Sequence, residues 1–237
     1  MKLQYKLKND INEITSALVG RSVIEDQNYP YVKECGGDSC KIGFAGDQMV
    51  GLGLSSASYE TIYNGFVGGR AFNFMMLDGG IVQMSYIVQG GEVSAHRLAY
   101  YPNPRIGSFQ EHPDEYDRDD CLTEINERRN VLTLVRFDFD ASERSFKPVL
   151  HPRSHLTLGQ CSKCRIPVSA PLSPVSFVRF LLRHFFSNGP TDFAEILPHG
   201  STYDFDRTLD PVEAQEIHVE VPRARPIDTS SPVPCHS

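Results

Sequence analysis

Apolar positions recur at helical spacing near both ends of the chain and at strand spacing in between. Near the start, Ile11, Ile14 and Leu18 share one helical face. Asp10-Ile11-Asn12-Glu13 has the spacing of a capping box and Gly20 can close the element, so an amphipathic opening helix is expected. Far downstream Val178, Leu181, Leu182 and Phe185 form one stripe. Ser173 can cap it and Pro174 suits its first turn, which predicts a helix over 174–186. In the middle, apolar-rich segments at 71–77, 81–88 and 93–100 are divided by Asp78-Gly79-Gly80 and Gln89-Gly90-Gly91-Glu92, the punctuation of an antiparallel meander. Val131, Thr133, Val135, Phe137 and Phe139 fall on one face of a further strand. Residues 28–58, rich in Gly, Asp, Ser and Tyr, suggest loops with one short hairpin. The acidic run His112–Asp120 suggests a solvated loop leading to a short helix over 122–128.

The sum is an α+β domain over residues 1–220. Its antiparallel sheet, of five or six strands drawn mostly from 71–168, is covered by the opening helix and the helix at 174–186. From Val221 onward, PRARPIDTSSPVPCHS is too proline-rich and too poor in apolar residues to pack, so 221–237 is expected to be a flexible tail.

Composition narrows the function classes. With 40% hydrophobic and 22% charged residues, the 237-residue chain has an ordinary globular make-up. Its 23 basic and 30 acidic residues give a net charge of -7, which argues against coating duplex DNA by bulk electrostatics. No apolar run is long enough to span a membrane, and Met1–Lys6 lacks the apolar core of a secretion signal, so a cytoplasmic protein is expected.

Residues 151–168 concentrate histidine, arginine and cysteine. On a strand from Arg153 to Leu158 the two-residue period puts Arg153, His155 and Thr157 on one face. An imidazole beside a guanidinium suits phosphoester chemistry: His155 as acid or base, His151 as its partner and Arg153 as the anion clamp, acting on RNA or a phosphorylated ligand. The competing expectation is that these side chains merely form hydrogen bonds on a half-exposed strand. His155-Leu156-Thr157-Leu158 also resembles one of the paired His-x-Thr/Ser motifs of the two-histidine phosphoesterases. The second copy there would be His199-Gly200-Ser201, in a Pro-Gly context rather than a strand.

The cysteines offer a different chemistry, because Cys35-x4-Cys40 and Cys161-x2-Cys164 could supply four thiolates to a structural zinc ion. Plain reduced thiols are the alternative, and no other cofactor is suggested. Arg179 and Arg183, beside the stripe of the late helix, are explained by a solvated face and the helix C-terminus. Val67-Gly68-Gly69-Arg70 and Gly51-Leu52-Gly53 lack the setting of a nucleotide loop.

The segment HPRSHLTLGQCSKCRIPVSAPLSPVSFVRFLLRHFF, residues 151–186, resembles the C-terminal signature HPxSHxTxG…CRIPV…PLSP of an uncharacterised bacterial family filed as a domain of unknown function. The resemblance implies a bacterial cytosolic protein with a preceding antiparallel sheet and carries over no activity or site residues. Small accessory proteins of this type resemble members of toxin-related or phage-defence loci. Two functions follow: a phosphoester- or RNA-directed effector, with the histidines and Arg153 converging in a concave site, or a non-catalytic module binding a protein of its own operon, with the histidines pointing apart or buried and fully hydrogen-bonded and an exposed apolar patch elsewhere.

Overall fold

The computed structural model describes residues 1–104, 133–161, 163–186, 193–197, 201 and 203–222. The chain opens with helix α1 (Leu3–Gly20), followed by strands β1 (Ile24–Gln27), β2 (Tyr31–Gly36) and β3 (Ser39–Gly43). A 3-10 segment (Asp47–Leu54) and helix α2 (Tyr59–Gly68) lead into β4 (Phe74–Met76), β5 (Ile81–Gln89) and β6 (Glu92–Tyr101). Then come β7 (Val135–Asp140), β8 (Ser154–Leu158), the two-residue β9 (Ile166–Pro167) and helix α3 (Pro174–Phe185).

All nine strands join one antiparallel sheet in the order β1-β4-β5-β6-β7-β8-β9. The outer edge of β5 is shared, with β4 beside Ile81–Val82 and β3 beside Tyr86–Gln89; β2 pairs with the far side of β3. Gly90 and Gly91, at φ 62° and 85°, make the tight β5–β6 connection; two consecutive positive φ angles are what a type I′ hairpin turn requires.

The alternation along each strand divides the sheet into two faces with different fates. On the first face Met84, Tyr86, Leu98, Phe137 and Leu156 meet Leu7, Ile11 and Leu18 of α1 and Phe177, Val178 and Leu181 of α3 in one buried core. On the second face α2 covers only one end, where Ile62 and Phe66 pack over Ile81, Ala99 and Tyr101. The other end of that face is open, and the candidate site lies there.

The α+β architecture, the meander and both sequence-expected helices are present, with corrections. Helix α1 begins at Leu3, so Asp10 lies mid-helix rather than at a cap, and its carboxylate accepts hydrogen bonds from Ser201 Oγ (3.1 Å) and Tyr203 Oη (2.7 Å). Helix α3 starts where the sequence placed it, with Ser173 Oγ accepting from the Ser176 amide at 3.1 Å. Among the described residues the sheet has nine strands, not five or six: the short hairpin expected within 28–58 is present and joins the sheet through β3, and short β1, β4 and β9 add pairings too brief to show a period. Helix α2 was not expected, although Tyr59, Ile62, Tyr63 and Phe66 recur at helical spacing behind the Ser58 cap; Gly65 on it leaves room for Leu52 to pack close. Val131, the acidic run, the helix expected over 122–128, His199, Gly200 and 223–237 lie outside the described residues. Among the described residues no helix is long and apolar enough to cross a membrane.

Candidate functional site: a cationic, histidine-bearing groove

Strand register assembles the open half of the second face in three rows. Ser85, Arg97, Asp138 and His155 stand side by side on β5, β6, β7 and β8. One pleat repeat toward α2 lie Gln83, Ala99, Arg136 and Thr157; one repeat the other way lie Lys41, Ile87, Ala95 and Asp140. The central row, Arg136 and the Lys41–Asp140 row line a groove of ≈ 510 Å³, to which Arg165, just before β9, and His151, just before β8, also contribute. The volume is in the range of small-ligand sites. Lys41, Arg97, Arg136 and Arg165 face Asp47, Asp138 and Asp140 across this groove, an excess of one positive charge in a chain of net charge -7.

Asp138 organises the centre. Arg97 Nε donates to its Oδ1 at 2.8 Å and Arg136 Nε to its Oδ2 at 2.6 Å. Burial alone would raise the Asp138 pKa, but the two guanidiniums outweigh it and hold the carboxyl below its ordinary value. Two arginines thus share one carboxylate, leaving a cationic surplus that is fixed in place, since each Nε is pinned.

His155 is buried in the same row. Its Nδ1 lies 3.0 Å from the Pro152 carbonyl, which can only accept, so Nδ1 carries the proton. Nε2 is then the basic nitrogen, 3.8 Å from Asp138 Oδ2, beyond hydrogen-bond reach. Burial lowers the His155 pKa, and the pull of Asp138 in the opposite direction does not cancel it. A neutral imidazole with an available lone pair results, next to a carboxylate that would stabilise it once protonated.

His151 meets His155 ring to ring at 5.3 Å, edge to face. It closes a tight turn in which the Lys147 and His151 amides each donate to the other's carbonyl, and Val149 at its apex has φ 66°. Positive φ is costly for a β-branched residue, so something must hold it. The buried Glu213 accepts from the Val149 amide at 3.2 Å and from the Asp210 amide at 3.0 Å, tying the turn to the C-terminal segment.

At the Lys41 end of the groove, Tyr31 donates to Asp47 Oδ2 at 2.5 Å and Lys41 Nζ pairs with the same oxygen at 2.9 Å. Burial and the Asp47 charge push the Tyr31 phenol up to about 12. Gly43 makes this possible, because a side chain there would overlap the Asp47 carboxylate and the Tyr31 hydroxyl.

Of the sequence-selected residues, the structure brings His151 and His155 together but turns Arg153 aside: its guanidinium pairs with Glu143 at 2.6 Å and lies 3.9 Å above the Phe146 ring. Arg97, Arg136, Asp138, Arg165 and Lys41 were missed. The Val-Arg-Phe-Asp-Phe-Asp alternation of β7 was visible, but alternation alone reads as an ordinary solvated face. Cys35 is exposed and Cys40 buried on the β2–β3 hairpin, whereas Cys161 and Cys164 form a turn after β8, with the Cys164 amide donating to the Cys161 carbonyl at 3.1 Å. Strands β5, β6 and β7 separate β3 from β8, a gap of roughly 19 Å at about 4.8 Å per strand. Among the described residues no three His, Cys, Asp or Glu side chains gather as metal ligands.

Fold and site together define an α+β protein whose antiparallel sheet is buried by helices on one face and carries a polar, histidine- and arginine-lined groove on the other. The chain belongs to the family described as uncharacterized conserved protein (DUF2290), whose model matches residues 23–221. The match runs from β1 to past β9 and α3, so it spans the whole sheet from β1 onward and not only residues 151–186. No match was found among curated proteins or solved structures.

Proposed function

We propose that the groove is a phosphoester-directed site that cleaves RNA by metal-independent acid–base chemistry. The observation that carries this reading is the convergence of His151 and His155 at 5.3 Å beside arginines pinned by one carboxylate. The interaction-module alternative expected the two imidazoles to point apart, or to be buried and fully hydrogen-bonded. His155 is buried with Nδ1 bonded to Pro152, but the rings meet and its Nε2 stands 3.8 Å from Asp138, outside hydrogen-bond reach, which favours a site.

In this mechanism the ribose 2′-hydroxyl gives its proton to His155 Nε2 as its oxygen attacks the adjacent phosphorus. The O2′–P bond forms while the P–O5′ bond breaks, and His151 hands a proton to the departing 5′ oxygen. The products are a 2′,3′-cyclic phosphate and a 5′-hydroxyl end. Arg97 and Arg136 face the charge that builds on the non-bridging oxygens. Asp138 steadies the His155 imidazolium once it has formed.

The test is incubation of end-labelled RNA oligonucleotides with the purified chain, with and without a chelator, beside His155→Ala. The expected result is cleavage to cyclic-phosphate ends that survives chelation and falls by about 10² or more in the variant, the usual size of a general-base contribution. Intact RNA after prolonged incubation with folded protein would overturn the proposal.

A further inference from the structure

Resting on the groove being a phosphate site, we propose that its apolar floor at Ile87, Ala95 and Val50 seats the base and ribose of a single nucleotide unit, so that the ligand is unpaired RNA rather than a duplex or a phosphorylated protein. Ile87 is the anomaly that leads there. It is 40% exposed although it sits in an interior strand, between Lys41 of β3 and Ala95 of β6. The other large apolar residues of β5, Ile81, Val82, Met84, Tyr86 and Val88, are all buried. Helix α2 covers the same face only at its other end, leaving Ile87 open beside a small neighbour.

The small Ala95 side chain makes a shallow trough next to Ile87, and Val50 from the 3-10 segment gives it a wall. The Ile87–Ala95 row stands one pleat repeat, roughly 6.7 Å, from the Arg97–Asp138–His155 row. A phosphate held by Arg97 therefore places the sugar and base it carries over the trough. Unpaired bases are bound by laying their faces on apolar or aromatic side chains, a mode closed to bases stacked within a duplex. At the end of the trough, Lys41 and the Asp47 carboxylate offer a donor and an acceptor to the edge of a base. A groove of ≈ 510 Å³ has the size of a small-ligand site. A phosphorylated serine would satisfy the arginines but leave the trough empty.

The experiment is calorimetric titration of the full chain with adenosine 5′-monophosphate, inorganic phosphate and phosphoserine, repeated on Ile87→Ser and on Ala95→Leu, which fills the trough. Adenosine monophosphate is expected to bind at least tenfold more tightly than phosphate or phosphoserine. Either variant should erase most of that advantage while leaving phosphate binding within about twofold. Equal affinity for all three probes, or an advantage that survives in both variants, overturns the nucleotide seat while the phosphate site stands. If none of the three binds the wild-type chain, the phosphate site falls and the seat with it.

Discussion

At the scale of single residues the site turns on Asp138. Its side chain is 14% exposed and is the shared partner of Arg97 and Arg136, so its charge cannot be removed without leaving two guanidiniums facing each other. Asp138→Asn is expected to cost about 2 kcal/mol, below the 3–5 typical of a broken, fully buried pair because some solvent reaches the group. The same change withdraws a charge that raises the His155 pKa, so that pKa should fall further. Urea unfolding reads the first effect and the NMR titration of the His155 ring proton the second. A variant with unchanged stability and an unchanged imidazole titration would show that Asp138 organises neither group. Glu213 plays a comparable part for His151 through a strained turn, yet it lies 64 residues from Val149 and nothing in the local sequence marks it.

At the scale of elements, His96 ties β6 to the segment that launches α3. Its Nε2 accepts from the Leu172 amide at 3.1 Å, and its ring packs between Tyr86 and Phe139 on the buried face. Burial drops its pKa to about 4. An unfolded histidine titrates near 6.5, so between these values the unfolded chain binds a proton that the folded chain refuses. Stability is therefore complete above about pH 6.5 and declines as pH falls toward 4, by roughly 3 kcal/mol in all. The lowered pKa of His155 acts in the same direction. Denaturant midpoints taken at about pH 7 and about pH 4.5 should show this loss. His96→Gln keeps an acceptor for Leu172 and should flatten the profile; an identical decline in the variant assigns the titration to another group.

At the scale of the whole molecule, charge separates a local site from general polyanion binding. A chain of net charge -7 repels nucleic acid except where the groove collects its positive excess, so RNA should contact it through few phosphates. With about two phosphate contacts, log K against log salt for single-stranded RNA should have a slope near −1.4. Filter binding across a salt series measures it, and a slope steeper than about −4 would place the contacts on a wider surface than this groove. How much of this was legible beforehand follows from the range of the forces involved. The amphipathic stripe and Ser173–Pro174 cap of α3 and the Gly-punctuated meander depend on residues a few positions apart, and sequence by itself determined them. Arg153, expected on the His155 face from the strand period, pairs instead with Glu143 and lies over the Phe146 ring. Arg97, Asp138 and His155 become neighbours only when β6, β7 and β8 pair in register. Ile87 stays open only because α2 packs over the opposite end of the same face. Those outcomes belong to cross-strand pairing and helix placement, which no local periodicity encodes, and only the tertiary structure decided them.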